Sequence, residues 1–500
     1  MNLMMLLEMA TDGFSDRVAI QNGAARLTYA ELFAAAGAAA HTVLESGAER
    51  LAVLDVNSLA VPVGLFAAAW AGVPFVPLNY RLTGAELHAL LSTIAPAYLV
   101  TDAERAAKLS GAGRTTDARE RFLAAARGGS ARAPEWSMDA DAIGILLFTS
   151  GTTGTPKAAV LRQKHLVSYI FGSVEFGAAA PDEAALVSVP PYHIAGMAAI
   201  LSSVYAGRRV VQLASFDAEN WVATARAERV THAFVVPTML TRIVDVLARD
   251  GGSGLSQLRA ISYGGGKMPQ PVIERAMQLM PGTAFTNAYG LTETSSTITV
   301  LGPEDHRIAA ASDDPAVRRR LVSVGRTLPS IELEVRDEEG RPCEPGQSGE
   351  IHVRGDQVSG EYLGLATRMT SDGWFPTRDA GALDTDGYLF LEGRIDDVIV
   401  RGGENLSPGE IEEVLLAHPA VADCAVVGVA DVQWGEAVAA VVVAHPGRTV
   451  SADELREWVK ARLRSSRAPA RVEFRDELPY NETGKLLRRK LRDELARTAS

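Results

Sequence analysis

Residues 149–157 (TSGTTGTPK) gather, within one short stretch, the groups that hold a polyphosphate. Thr149, Ser150, Thr152 and Thr153 carry hydroxyls, Gly151 and Gly154 leave backbone amides open to close approach, and Lys157 supplies a positive charge. The run is not a Walker loop, because Pro156 precedes the lysine and Ala158, rather than serine or threonine, follows it. By composition alone it also fits a Ser/Thr/Gly linker. An apolar run, residues 143–148 (IGILLF), reads as a strand just before it, so the loop is expected at a strand end, where open α/β sheets bind ligands. A second glycine-rich stretch, residues 263–267 (YGGGK), invites the same reading.

The elements around the loop alternate. Thr28 and Glu31 frame a capping box (TYAE) that opens an amphipathic helix to about Ser46, and the strand-like runs LAVLDV and AYLVTD follow helical ones. The rhythm returns at residues 184–189, 209–213, 232–236 and 258–263, which predicts parallel sheets covered by helices. Residues 56–80 carry no charge over 25 positions, but Asn57, Pro62, Pro74 and Pro77 break them into a buried helix followed by a short strand rather than a membrane span. After Pro329 the texture changes to short alternating strands with Gly and Pro turns, a compact antiparallel unit ending near Gly393. From Asp397 a small unit is expected: Ser407 as helix N-cap with Pro408 and Glu410 behind it, a second cap at Ser451 with Glu454, and apolar strands at 425–429 and 437–443. The fold class is therefore a large N-terminal α/β domain, residues 1–393, with parallel sheets covered by helices and a small β-rich subdomain. A small α+β C-terminal domain, residues 394–500, follows, hinged near Asp396.

Composition narrows the function. A hydrophobic content of 47% with 22% charged residues describes a globular chain, and a net charge of -12 speaks against nucleic acid as a partner. Cys343 and Cys424 have no metal-ligand or disulfide spacing, and the N-terminus meets Glu8 without the basic start of a signal peptide, so a cytoplasmic protein is expected.

Five motifs in order now converge: FTSGTTGTPK at 148–157, AYGLTET at 288–294, TRDAG at 377–381, GRIDD at 393–397 and TGK at 483–485. Together they resemble the adenylate-forming superfamily of acyl-CoA synthetases, peptide-synthetase adenylation domains and luciferases. The resemblance implies ATP and magnesium as cofactors, a small-molecule carboxylic acid as substrate and CoA as co-substrate. It makes Tyr289 an adenine-stacking ring against the backbone of Gly264, Gly265 and Gly266, which turns the second glycine stretch into an adenine wall. Thr292 would contact the α-phosphate and Glu293 would hold magnesium. Asp379 would accept both ribose hydroxyls and Arg394 would donate to the same ribose. Lys485 would drive the first step, offsetting the repulsion between a carboxylate and the α-phosphate. The family's small domain turns about a hinge matching Asp396, withdrawing that lysine and presenting residues 398–405, whose Gly402 and Gly403 let a pantetheine arm approach closely.

The acid itself is less legible. In residues 190–197 (PPYHIAGM), His193 matches the family's gate to the acyl pocket, with Val236, Gly264, Asn287 and Gly290 as walls. Tyr192 and His193 stand where amino-acid-adenylating relatives place an aspartate, which disfavours an amino acid. Aliphatic, aryl and dicarboxylic acids stay open, as does a homodimer. Two other readings remain: an acyl-AMP ligase loading a carrier protein, and a nucleotide-binding protein without catalysis. Two departures from the family pattern stand out, Arg378 before the ribose aspartate and Ala158 after the loop lysine, both at usual glycine positions. If Arg378 serves ATP or CoA, Arg378→Gly changes the Michaelis constant for one of them in steady-state assays; unchanged constants leave it a solvated surface arginine.

Overall fold

The computed structural model describes residues 1–109, 113–129, 135–149, 157–251, 255–402, 404–481 and 486–497. The alternation seen in the sequence becomes two large sheets packed through shared helices. The first has six strands in the order Arg114–Ala118, Ala97–Thr101, Leu51–Leu54, Phe75–Pro77, Ile143–Thr149 and Lys157–Arg162. It is parallel up to its last pair, where Ile143–Thr149 and Lys157–Arg162 run antiparallel. The second has nine strands, parallel at its centre and antiparallel at both edges. The expected parallel sheets are thus mixed at their margins.

Local sequence explains the helices that cover them. Thr28 accepts from the Glu31 amide while the Glu31 carboxylate accepts from the Thr28 amide, closing the capping box of Tyr29–Glu45. Ala60–Ala71 is apolar on nearly every face and lies in the core, terminated by Gly72 in a left-handed conformation. No helix among the described residues is long and apolar enough to cross a membrane. Trp221, Tyr29, Tyr263 and Phe66 are the largest fully buried side chains of this core.

A four-stranded antiparallel sheet follows, Glu332–Arg336, Gly349–Arg354, Phe375–Leu383 and Leu389–Arg394. Beyond it a five-stranded sheet is built around the long hairpin Val421–Asp431 and Gly435–Ala444, with its own apolar clusters under the helices Pro408–Leu416, Ala452–Lys460 and Arg488–Arg497. Ser451 caps its helix as expected. Ser407 does not: its hydroxyl donates to the carbonyl of Glu392 instead, so the small unit's first helix is tied to the neighbouring sheet rather than capped.

The nine-stranded and four-stranded sheets are joined at Gly325. Its carbonyl accepts from the Leu389 amide at 2.8 Å, and the adjacent Val324 amide donates to the Leu389 carbonyl at 2.9 Å. Gly325 has a φ of 77°, and a Cβ there would lie 1.9 Å from the Val300 carbonyl oxygen. Gly340, with a φ of 78° and nothing within 4 Å, has the same conformation without the crowding. Gly325→Ala is therefore expected to destabilise by about 2–5 kcal/mol, and Gly340→Ala by about 1 kcal/mol, read as the difference in thermal unfolding between the two variants.

Candidate active site

Three residues meet where the nine-stranded and four-stranded sheets touch. Tyr289 lies on Ala284–Leu291, Asp379 on Phe375–Leu383, and Arg394 faces Asp379 from Leu389–Arg394 in direct register. The Tyr289 hydroxyl donates to Asp379 Oδ2 at 2.7 Å, and Arg394 Nη1 donates to Asp379 Oδ1 at 2.8 Å. Burial, reinforced by the Asp379 charge, pushes the Tyr289 phenol well above its ordinary value, so it remains a donor. Burial works against the charge on Arg394, but the Asp379 carboxylate more than offsets it and Arg394 stays a cation. Beside Tyr289, Gly264 ends its strand in register with Ala288, and a Cβ at Gly264 would sit 2.1 Å from the Ala288 carbonyl oxygen. Gly265 and Gly266 continue outward into solvent. Their neighbour Lys267 reaches the Gly409 carbonyl and Glu413 of the small unit.

Thr292 and Glu293 open the short 3-10 turn Thr292–Thr294. The Tyr362 hydroxyl donates to the Glu293 carboxylate, and the Glu293 carbonyl accepts from the Ser359 amide at 2.8 Å. Among the described residues there is no group of three or more His, Cys, Asp or Glu side chains able to hold a metal. One carboxylate completed by phosphate oxygens is how Mg2+ is ordinarily bound, so Glu293 fits that ion.

Thr149 ends one strand of a hairpin and Lys157 begins the next; the Thr149 hydroxyl donates to the Lys157 carbonyl at 3.4 Å. The stretch expected to hold phosphate therefore joins two antiparallel strands. Its Ser150, Gly151, Thr152 and Thr153 lie outside the described residues, as do Gly403 and Lys485. Ala158 is buried in the apolar cluster that contains Leu146 and Val160, and its carbonyl accepts from the Leu363 amide. Its methyl group fills core space there.

His193 precedes the helix Ile194–Ala206 and belongs to an aromatic group: its ring centroid is 4.6 Å from that of Tyr192, which meets Tyr80 edge-on at 5.4 Å. Burial lowers its pKa to about 4, so the imidazole is neutral near pH 7. Val236 is buried beside the end of His232–Val235. Asn287 spends its amide on the Ser323 carbonyl, and Gly290 is required by the close pass of the Ser296 carbonyl, so both serve the fold directly.

Asp396 lies in the 3-10 turn Ile395–Asp397, and Arg378 donates to its carboxylate at 2.5 Å. Arg378 has a φ of 64°, and its amide donates to Glu350. The side chain is partly exposed and ion-paired, so it is a surface arginine engaged with Asp396. Gly402 donates its amide to the Trp434 carbonyl and lies flat under the Trp434 indole, where a Cβ would be 2.8 Å from the ring. Reading the sequence missed Tyr362, Trp434 and the Arg162–Glu361 pair. Each is defined by a partner far along the chain, which no spacing motif announces.

Residues 7–363 match the family model of AMP-binding enzymes, and residues 410–485 that of the AMP-binding enzyme C-terminal domain. The chain is 35% identical over 486 residues to a feruloyl-CoA synthase from Amycolatopsis sp, covering 95% of each. It is similar to the O-succinylbenzoate coenzyme A synthetase of Bacillus subtilis in complex with AMP, with a TM-score of 0.84, 30% identity and 98% of each chain covered. ATP-bound MatB from Rhodopseudomonas palustris matches with a TM-score of 0.87 and 29% identity over 100% of each chain. The apo form of that protein matches at 0.79, with 28% identity and 100% of each chain covered.

The folded value of about 4 for His193 lies below the ordinary imidazole value of about 6.5. As pH falls through that window the unfolded chain takes up the proton first, so His193 stability is present above about pH 6.5 and is lost toward about pH 4. His193→Gln is expected to narrow the difference in melting temperature between pH 7 and pH 5, measured by calorimetry.

Proposed function

We propose, since this chain belongs to the AMP-binding enzyme family and is an AMP-forming acyl-CoA ligase, that it joins a small carboxylic acid to CoA in two steps within one pocket. In the first, the acid's carboxylate attacks the α-phosphorus of ATP, the bond to pyrophosphate breaks and acyl-AMP remains. In the second, the CoA thiol attacks the acyl carbon and loses its proton, and AMP leaves. The observation that carries this reading is the Tyr289–Asp379–Arg394 group: an aromatic face, a buried carboxylate and a paired cation at one sheet junction.

Adenine would lie between Tyr289 and the Gly264–Gly266 backbone. Asp379 has already accepted one hydrogen bond on each oxygen, and a carboxylate's remaining lone pairs leave it able to accept the ribose hydroxyls as well. Arg394 would stay paired with that carboxylate and add a donor to the ribose. Thr292 would meet the α-phosphate, and Thr149, Lys157 and the loop between them the pyrophosphate. Mg2+, when bound, withdraws charge from the phosphates, and Glu293 would hold it. Lys485 would bridge the attacking carboxylate and the α-phosphate. The neutral His193 with Tyr192 and Tyr80 would make an aromatic gate suited to an apolar tail, with the Arg81 guanidinium 5.7 Å from the Tyr80 ring centroid.

The two half-reactions would alternate by rotation of residues 394–500 against residues 1–393 about Asp396, bringing Gly402 and Gly403 to the thiol path. The closer likeness to ATP-bound than to apo MatB, TM-scores of 0.87 and 0.79, supports assigning the present arrangement to the nucleotide-loaded state.

A carboxylic-acid panel with ATP, Mg2+ and CoA, read by AMP release and by the mass of the thioester, tests the proposal. Aryl or aliphatic monocarboxylic acids are expected to outrank dicarboxylic ones, and no acid-dependent AMP across the panel would refute it. Lys485→Ala is expected to lower acid-dependent pyrophosphate exchange by about 10²–10³-fold while leaving thioester formation from supplied acyl-AMP nearly intact.

A further inference from the structure

We propose that Tyr362 is a positioning residue for the metal carboxylate: its hydroxyl fixes the Glu293 side chain so that the second oxygen is presented to a divalent cation shared with the ATP phosphates. The inference rests on the reading of Glu293 given above and adds to it how that carboxylate is aimed.

Glu293 is gripped twice by one segment. Its carbonyl accepts from the amides of Ser359 and Gly360 at 2.8 and 3.4 Å, and its Oε1 accepts from the Tyr362 hydroxyl. Tyr362 is 7% exposed, so its ring is packed and cannot swing with solvent. Arg368 lies against the same hydroxyl.

The segment that carries Tyr362 is itself anchored to the strand that begins at Lys157. Val160 donates to the Glu361 carbonyl at 3.0 Å, Leu363 donates to the Ala158 carbonyl at 2.9 Å, and Ala159 bridges Tyr362 in antiparallel fashion. The Ser359 hydroxyl donates to the Val160 carbonyl. Arg162 closes the end with two bonds to the Glu361 carboxylate, 2.9 and 2.7 Å. The metal carboxylate and the exit of the phosphate loop thus hang from one strut.

A free glutamate samples many rotamers, whereas Mg2+ demands nearly ideal octahedral placement of each oxygen. The phenol takes one lone pair of Oε1, so Oε2 is the less engaged oxygen and the one presented to the ion. Outer partners that orient a ligating carboxylate typically contribute about 10–100-fold in metal affinity.

The test is calorimetric titration of ATP into the full chain at graded Mg2+ and, separately, in EDTA, for the wild type, Tyr362→Phe and Glu293→Gln. Phenylalanine keeps the buried ring, and an unchanged thermal melt verifies that the packing survives. Tyr362→Phe is expected to raise the Mg2+ midpoint about tenfold and to leave ATP affinity in EDTA unchanged. Its pyrophosphate exchange should recover when Mg2+ is raised to saturation. An unchanged midpoint overturns the proposal, and so does an equal loss of ATP affinity with and without Mg2+, which would make the hydroxyl a packing group. Glu293→Gln separates the two levels: if it abolishes the Mg2+ increment while Tyr362→Phe does not, only the role of Tyr362 falls. If Glu293→Gln retains the increment, Glu293 is not the metal ligand and both readings fall.

Discussion

Asp379 lies at the junction of the nine-stranded and four-stranded sheets, and its carboxylate is held from both sides. A charge placed there needs partners, because leaving it unpaired in a water-poor junction costs several kcal/mol by the usual scale of buried ions, about 3–5. Tyr289 comes from one sheet and Arg394 from the other, so satisfying the charge also fixes the relative position of the two sheets. Gly325 lets the backbones approach at the same junction, and the exchange of hydrogen bonds with Leu389 follows.

From that junction the rest of the pocket can be reached through a small number of rigid links. Glu293 stands four residues beyond Tyr289, and residues 359–363 tie it to the strand that leaves the phosphate loop. In the proposed reading the three sheets that precede Ile395 would contribute to one site, the six-stranded sheet supplying Lys157, the nine-stranded sheet Tyr289 and the four-stranded sheet Asp379 and Arg394. Preorganisation of this kind is what phosphoryl and acyl transfer chemistry needs, since the reacting groups are mutually repelling anions and most of the work is placement.

The small C-terminal unit is attached by contacts of a different character. Arg378 holds Asp396, Ser407 and the backbone at Gly409 rest on the Glu392 carbonyl, and Lys267 reaches the Gly409 carbonyl. These are few, polar and partly solvated, worth far less than the apolar clusters inside each unit. An attachment of this strength would permit the proposed rotation, and the buried Arg488–Glu412 pair ties the small unit together internally.

Much of this molecule was legible in its sequence. The Thr28 capping box, the all-apolar helix broken from its strand at Gly72, the strand rhythm to residue 263 and the change of texture after Pro329 all depend on near neighbours and simple periods. Residue chemistry in ordered motifs likewise marked Tyr289, Glu293, Asp379 and Arg394. Tertiary structure alone decided that Tyr362 donates to a glutamate 69 positions away, that Ser407 spends its hydroxyl on Glu392, that Arg378 pairs with Asp396, and that the Ala158 methyl belongs to the core. The physical reason is range: propensity and capping act within one turn or one strand, whereas each of these partners is brought near only when separate sheets pack and their registers are set.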